Sequence, residues 1–292
     1  MDPLVIVFGL GVGILIGLTG IGGGSLMTPL LILFAGVTPV VAIGTDLAYG
    51  AITKTLGGWR HVRSGTVDLG LSKWLAFGSV PGAIAGVLAV EALHSHYGKG
   101  FDATLLSFVA AALLIVAVSV LGRTILVAHP RERHTAVLGN GGKAGAVAIG
   151  LGLGVILGMT SVGSGALVGL ALIMVFRLTP HRVVGTDVFH AALMLWAAGL
   201  AHLAVGNVDL VLMVNILVGS LPGVMIGTAL LPKVPAAALR VVLGCVLLGS
   251  ALGVLSKAGV DVPAAAIIGA PLGAGLAALL AHRARRTRVA TA

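Results

Sequence analysis

Two stretches decide the fold: Gly17-Leu18-Thr19-Gly20-Ile21-Gly22-Gly23-Gly24 and Gly158-Met159-Thr160-Ser161-Val162-Gly163-Ser164-Gly165. Each lies between apolar runs, and each glycine weakens a helix by about 1 kcal/mol relative to alanine. Both therefore read as deliberate breaks in otherwise helical sequence. They stand 141 residues apart, and the correspondence extends outward from them. Gly17–Gly86 aligns with Gly158–Gly227 without a gap, and 25 of those 70 positions are identical. Thr38-Pro39 matches Thr179-Pro180, and Gly44-Thr45-Asp46 matches Gly185-Thr186-Asp187. His61, Gly65 and Val67-Asp68-Leu69 match His202, Gly206 and Val208-Asp209-Leu210. Gly78-Ser79, Pro81-Gly82 and Gly86 match Gly219-Ser220, Pro222-Gly223 and Gly227. The chain is an internal duplication.

Composition fixes the solvent. Of 292 residues, 58% are hydrophobic and 9% charged, with a mean hydropathy of +1.13. Soluble domains carry about 25% charged residues and about 45–50% apolar ones. Soluble enzymes, nucleic-acid binders and disordered chains are excluded, leaving a polytopic membrane protein whose surroundings are the lipid bilayer. The net charge of +9 does not call for nucleic acid. Its basic residues sit in short loops and at the C-terminus, where they set membrane orientation. Cys245 stands alone in an apolar stretch, so neither a disulfide framework nor a metal cluster is expected. Met1-Asp2-Pro3 lacks the basic start of a secretory signal, and the first apolar segment is expected to stay.

Basic residues also set the relation between the halves. The loop at Gly36–Pro39 is uncharged, while its counterpart carries Arg177 and Arg182. Conversely, Arg60 and Arg63 flank His61, while the segment near His202 has none. Because Lys- and Arg-rich short loops stay cytoplasmic, the swap predicts two inverted repeats, as in many secondary transporters. Each repeat opens with a broken glycine-rich hairpin, with arms at 4–18 and 25–35, then 144–158 and 165–176. These arms fall short of, or barely reach, the roughly 20 residues of a full span. Three spans follow in each half, about 39–58, 69–90 and 103–122, then 181–201, 209–230 and 236–256. A further span at 263–281 precedes His282-Arg283-Ala284-Arg285-Arg286-Thr287-Arg288. The expected organisation is a first repeat at 1–125, a cytoplasmic linker at 126–143 and a second repeat at 144–257. Residues 258–292 add the extra C-terminal helix and its basic tail. This all-α chain would sit in the cell membrane with an outside N-terminus and a cytoplasmic C-terminus.

The breaks are where chemistry is expected. Non-helical backbone at membrane depth is tolerated only where protein or a water-filled cavity satisfies it. The two breaks are therefore expected to face each other between the repeats. Helices restarting near Ser25 and Ala166 would aim free N–H groups and positive dipole ends into that space. Thr19, Gly22, Gly23, Gly24 and Ser25, with Thr160, Gly163, Ser164 and Gly165, then form a cradle for a small anion. Tight helix packing without a ligand is the plainer alternative. Asp46 and Asp187 are intramembrane carboxylates and functional candidates by default. With Thr45 and Thr186 they would support the cradle, cap a broken helix or hold a coupling ion. Tyr49 and His190, one turn further on, are equivalent polar positions. Lys54, two turns after Asp46, is expected to snorkel to the surface.

The remaining motifs read as structure. Asp68 and Asp209 cap the next span, with Gly65 and Gly206 forming the preceding turn. Pro81-Gly82 and Pro222-Gly223 read as kinks, with hinges as the alternative. Asn215 and Arg240 have no polar counterpart. Hydrolase, dinucleotide and Walker signatures are missing, and Ser164 with His190 has no supporting spacing as a nucleophile–base pair. No enzyme activity, cofactor or metal is expected.

The glycine run with Pro29, the Gly44-Thr45 element, His61-Val62-Arg63-Ser64-Gly65 with Asp68, and Gly78-Ser79-Val80-Pro81-Gly82 resemble the TauE/SafE family of sulfite exporter-like permeases. The resemblance covers roughly residues 4–256, and the second half repeats the pattern in weaker form. It implies transport of small sulfur-containing anions such as sulfite, sulfoacetate or other organosulfonates. Asp46 and Asp187 stand where the family more commonly carries serine. A carrier of another small carboxylate or anion coupled to protons or cations, or a cation transporter using Asp46 and Asp187, are the alternatives. The many small residues leave dimerisation through a helix face open.

Overall fold

The computed structural model describes residues 3–19, 24–125, 134–136, 138–230 and 233–290. Among the described residues every regular element is helical. The first half gives α1 (Pro3–Thr19), α2 (Gly24–Leu33), α3 (Pro39–Arg63), α4 (Leu69–Tyr97) and α5 (Asp102–Ile125). The second gives α6 (Asn140–Thr160), α7 (Leu167–Met174), α8 (Pro180–Ala204), α9 (Leu210–Leu230) and α10 (Ala236–Lys257). The extra helix is α11 (Ala264–Ala290).

Among the described residues six stretches are long and apolar enough to cross a membrane: Leu69–Gly122, Asn140–Thr160, Pro180–Ala204, Leu210–Leu230, Ala238–Lys257 and Ala264–Ala281. The first contains α4 and α5, joined by a 3-10 turn at Gly98–Phe101. Helix α3 has 25 residues but carries Asp46, Lys54, Arg60 and Arg63. Helices α1 and α2, at 17 and 10 residues, are the shorter arms of the first hairpin. The second hairpin differs from expectation. Its first arm begins at Asn140 and reaches 21 residues, long enough to cross. Lysine and polar residues at the start of α6 obscured that extension in the hydropathy pattern.

Helix starts follow from local chemistry. Pro39 and Pro180 open α3 and α8 at a position where the missing N–H costs no hydrogen bond. Asp68 Oδ1 accepts from the N–H of Leu71, and Asp209 Oδ1 from that of Leu212. Gly65 and Gly206 precede them at φ 67° and 83°, the left-handed turn geometry that favours glycine. The expected caps are therefore present in both halves.

The halves exchange partners. Gly9, Gly13 and Gly17 of α1 pack on Ile216, Ser220 and Val224 of α9. At the equivalent positions, Gly150, Gly154 and Gly158 of α6 pack on Leu75, Ser79 and Ala83 of α4. Glycines answer from the other side: Gly78, Gly82 and Gly86 on α6, Gly219, Gly223 and Gly227 on α1. Contacts advance in the same order along both members, so each pair is parallel. A Cβ at Gly9 would stand 2.8 Å from the Ile216 carbonyl oxygen, and most of the others would lie closer still. This is small-residue packing of the kind that joins helices in lipid. It also gives the glycines of the Pro-Gly pairs a packing role. Helices α4 and α9 run through Pro81 and Pro222 unbroken, and the adjacent glycines are packing contacts.

Helices α3 and α8, equivalent in the duplication, pack side by side. Gly44 meets His202 and Asn207, Gly50 meets Leu195, and Gly57 meets Val188, so the two run antiparallel. Helices α5 and α10 are likewise packed together. The largest hydrophobic core is continuous across these interfaces, from Leu26 and Ile43 through Leu75 and Leu113 to Leu172 and Leu247.

Candidate functional site

The second glycine break is built by its own residues. Helix α6 ends at Thr160, and Ser161 turns left-handed at φ 59°. Gly163 and Gly165 follow at φ 122° and 111° before α7 begins. Thr160 Oγ1 donates to the Ile156 carbonyl at 2.6 Å and accepts the Val162 N–H at 3.1 Å. Its hydroxyl therefore shapes the break. Of the first break, α1 ends at Thr19 and α2 restarts at Gly24. The Thr19 side chain, Gly22 and Gly23, all assigned to the cradle, lie outside the described residues.

The two breaks meet. A Cβ at Gly24 would overlap the carbonyl oxygen of Ser161, so only glycine lets α2 begin there. Asp46 of α3 lies at this junction, 1% exposed. Its Oδ2 accepts from Thr28 Oγ1 at 2.6 Å and from Ser161 Oγ at 2.8 Å. Among the described residues its Oδ1 has no hydrogen-bond partner. Neither do the hydroxyls of Ser25, in the first turn of α2, and Ser164, in the second break, both 1% exposed. A buried hydroxyl without a partner costs about 1–3 kcal/mol.

The equivalent site around Asp187 is built differently. The counterparts of Thr28 and Ser161 are Gly169 and Gly20, which carry no hydroxyl. Lys54 of α3 acts on Asp187 electrostatically, while its Nζ makes no hydrogen bond among the described residues. Lys54 is 7% exposed, so it does not snorkel. One turn further on, Gly57 and Gly58 bring α8 close at Val188 and Phe189. The counterpart of Lys54, Leu195, packs on Gly50 beside Asp46.

The other expected positions separate into two groups. Thr45 Oγ1 accepts the N–H of Asp209 at 3.0 Å, and Thr186 Oγ1 accepts that of Asp68 at 2.8 Å. Each threonine thus anchors the cap of the opposite half. The preceding glycines allow this approach: a Cβ at Gly44 would overlap the Asn207 carbonyl, and one at Gly185 the Thr66 hydroxyl. In Gly-Thr-Asp, then, the glycine admits the neighbouring loop, the threonine holds it, and Asp46 turns to the break. Tyr49 and His190 form the second group. His190 Nε2 lies 3.1 Å from Ser79 Oγ. Tyr49 faces Ser220, the counterpart of Ser79, without completing a hydrogen bond.

Several residues serve the surrounding frame. His202 Nε2 lies 3.2 Å from the Gly158 carbonyl and is buried, whereas His61 is part of the loop ahead of α4, 2.9 Å from Thr66 Oγ1. Beyond the apolar part of α3, burial and then the neighbouring Arg60 hold the His61 imidazole below the usual histidine range. Among the described residues no group of three or more His, Cys, Asp or Glu side chains is placed to hold a metal ion. Lys257 of α10 donates to the Ile32 carbonyl, neutralising the C-terminal end of α2. Asn215 is buried and Arg240 exposed.

Nothing in the sequence singles out Thr28, and Ser161 stands there only as a member of the second glycine-rich stretch. Both hold Asp46, and neither has a polar counterpart at the repeated position.

An all-helical chain with several membrane-crossing stretches and two touching helix breaks is a multi-pass membrane protein. It belongs to the TauE/SafE family: the family described as sulfite exporter TauE/SafE matches residues 5–254. It is similar to the probable membrane transporter protein YjnA of Bacillus subtilis (strain 168), with 39% identity over 256 residues, 86% of this chain and 99% of that one. The probable membrane transporter protein YdhB of the same organism is 29% identical over 234 residues, 76% of this chain and 88% of its own. The likewise named YunE is 25% identical over 259 residues, 84% and 94% respectively. No solved structure matches. The chain is a membrane transporter of this family.

Proposed function

We propose that the chain is a secondary transporter of small sulfur-containing anions, such as sulfite, sulfoacetate or other organosulfonates. The anion would be held where α2 and α7 restart between the halves. The observation that carries this reading is the junction of the two breaks, with the buried hydroxyls of Ser25 and Ser164 left without partners. Helix N-termini add free N–H groups and about half a positive charge each. Small anions of tetrahedral or pyramidal shape suit such donors. The antiparallel packing of α3 on α8 supports inverted repeats that rock about the site, giving alternating access. Loop charges support a cell-membrane location with the N-terminus outside and the C-terminus in the cytoplasm. An anion carried alone would leave the cell by default, since an inside-negative potential drives it outward by about 2.3 kcal/mol per charge per 100 mV.

A second reading has one observation in its favour: Asp46, buried and held by two hydroxyls, is also a possible cation ligand. Thermal denaturation of the purified protein with sulfite, sulfoacetate, taurine, sulfate, acetate or sodium separates the two. A ligand of the folded state raises the melting temperature. The anion reading expects stabilisation by sulfite or sulfonates that is lost in Ser164→Leu. Stabilisation by sodium alone, lost in Asp46→Asn, replaces it with the cation transporter.

A further inference from the structure

Asp46 and Asp187 are equivalent in the duplication but differ in their surroundings. Lys54 acts on Asp187 electrostatically. Asp46 has two hydroxyls and no cation, and its Oδ1 is unpartnered among the described residues. It also lies against Ser161, at the point where α2 begins. The positive end of that helix is where the anion of the proposed function would bind, so an ionised Asp46 and the anion compete for one attraction.

The charge balance is simple. An ionised Asp46 already sets one negative charge against a helix end of about half a positive charge. Adding a monoanion there would leave two negative charges side by side out of water. A proton on Asp46 restores the balance. Asp46 Oδ1 suits that step, because Oδ2 keeps the bonds from Thr28 and Ser161.

We propose that Asp46 takes up one proton from solution when the anion binds, so that proton and anion cross together. The inference rests on the anion reading above. It names which of two equivalent carboxylates couples, and it changes the energetics. A proton and a monoanion carry no net charge, so the membrane potential no longer acts and the two concentration gradients set the direction.

Other ionisable groups lie on α3 and on the elements packed against it, Lys54 of α3 among them. Tyr49 lies on α3 itself, and α8 presents Asp187, His190 and His202. Of the other groups on α8, Arg182 is bound to the Val67 carbonyl at the far end, and His181 opens the helix. Helices α2 and α9 present none, and Asp102 of α5 lies beside His94. His190 is therefore the rival proton carrier.

The test is calorimetric titration of the purified full chain with methanesulfonate, which stays ionised throughout, from about pH 5 to about pH 8. Two buffers of different ionisation enthalpy report the protons taken up. The wild type is expected to take up about one proton per anion, with Kd rising about tenfold per pH unit on the alkaline side. Asp46→Asn should bind without proton uptake and without pH dependence, and His190→Gln should match the wild type. If Asp46→Asn does not fold, Asp46→Glu replaces it, keeping the proton uptake with a displaced pH midpoint. Sulfonate binding without proton uptake overturns the inference and leaves the anion reading standing. So does uptake that persists in Asp46→Asn or vanishes in His190→Gln. No sulfonate binding by the wild type at any pH overturns both.

Discussion

Ser161 Oγ donates to Asp46 Oδ2 across 2.8 Å, tying the break of the second half to a carboxylate of the first. The residues are separated by 115 positions in sequence, and both are buried. Ser161→Ala is expected to destabilise the protein by about 1–3 kcal/mol, the range for a buried acceptor losing a donor. Thr28→Val should act on the same oxygen, and the double variant should cost more than the sum of the two. Melting temperatures in detergent check this, and a neutral Ser161→Ala would show that the bond is not made.

The paired threonines give a symmetry test. Thr45→Val and Thr186→Val each remove the acceptor for a capped N–H, that of Asp209 or Asp68. Each is expected to cost about 1–3 kcal/mol, and to a similar extent. Hydrogen exchange at the Asp68 and Asp209 amides should accelerate only in the variant that lost that amide's partner.

Lys54 supplies a third prediction. Lys54→Met should be destabilising, by up to about 3–5 kcal/mol, because it removes a cation that acts on the buried Asp187 carboxylate. The double variant Lys54→Met/Asp187→Asn should recover most of that loss. A lysine reaching the surface would tolerate the single change, so a neutral result in thermal denaturation removes the pair.

Two glycines of α6 test the packing. Gly154→Ala would drive its Cβ into the Ser79 carbonyl and must separate α4 from α6. Gly152 has nothing within 4 Å, so Gly152→Ala should stay within about 1 kcal/mol of the parent or gain stability. Comparable losses in both would refute the close α4–α6 contact.

Most of the frame was legible because it is written twice. Helix positions, the Asp68 and Asp209 caps and the touching breaks all sit on residues that recur after 141 positions. What escaped is what the halves do not share. Thr28, Ser161 and Lys54 face Gly169, Gly20 and Leu195 at the equivalent positions, so comparing the halves hid them. Snorkelling was a fair expectation for a lysine eight residues along α3 from Asp46. The side chain is instead buried, on a stretch of α3 where Gly57 and Gly58 bring α8 close, a distance no hydropathy pattern records. The Pro-Gly pairs carry a further role that a single helix does not reveal: their glycines serve the neighbouring helix.

The exchanged pairing of α1 and α9 also sets an order of assembly. Gly9 meets Ile216, which the ribosome supplies 207 residues later. At about 5–20 residues per second, α1 waits roughly 10–40 s for its partner. Helix α6 faces no such delay, since α4 is already made when it emerges. Lipid or the insertion machinery must shelter the glycine face of α1 during that interval. A chain arrested before α9 would carry a complete second interface and an orphaned first helix, which makes it a natural substrate for membrane quality control.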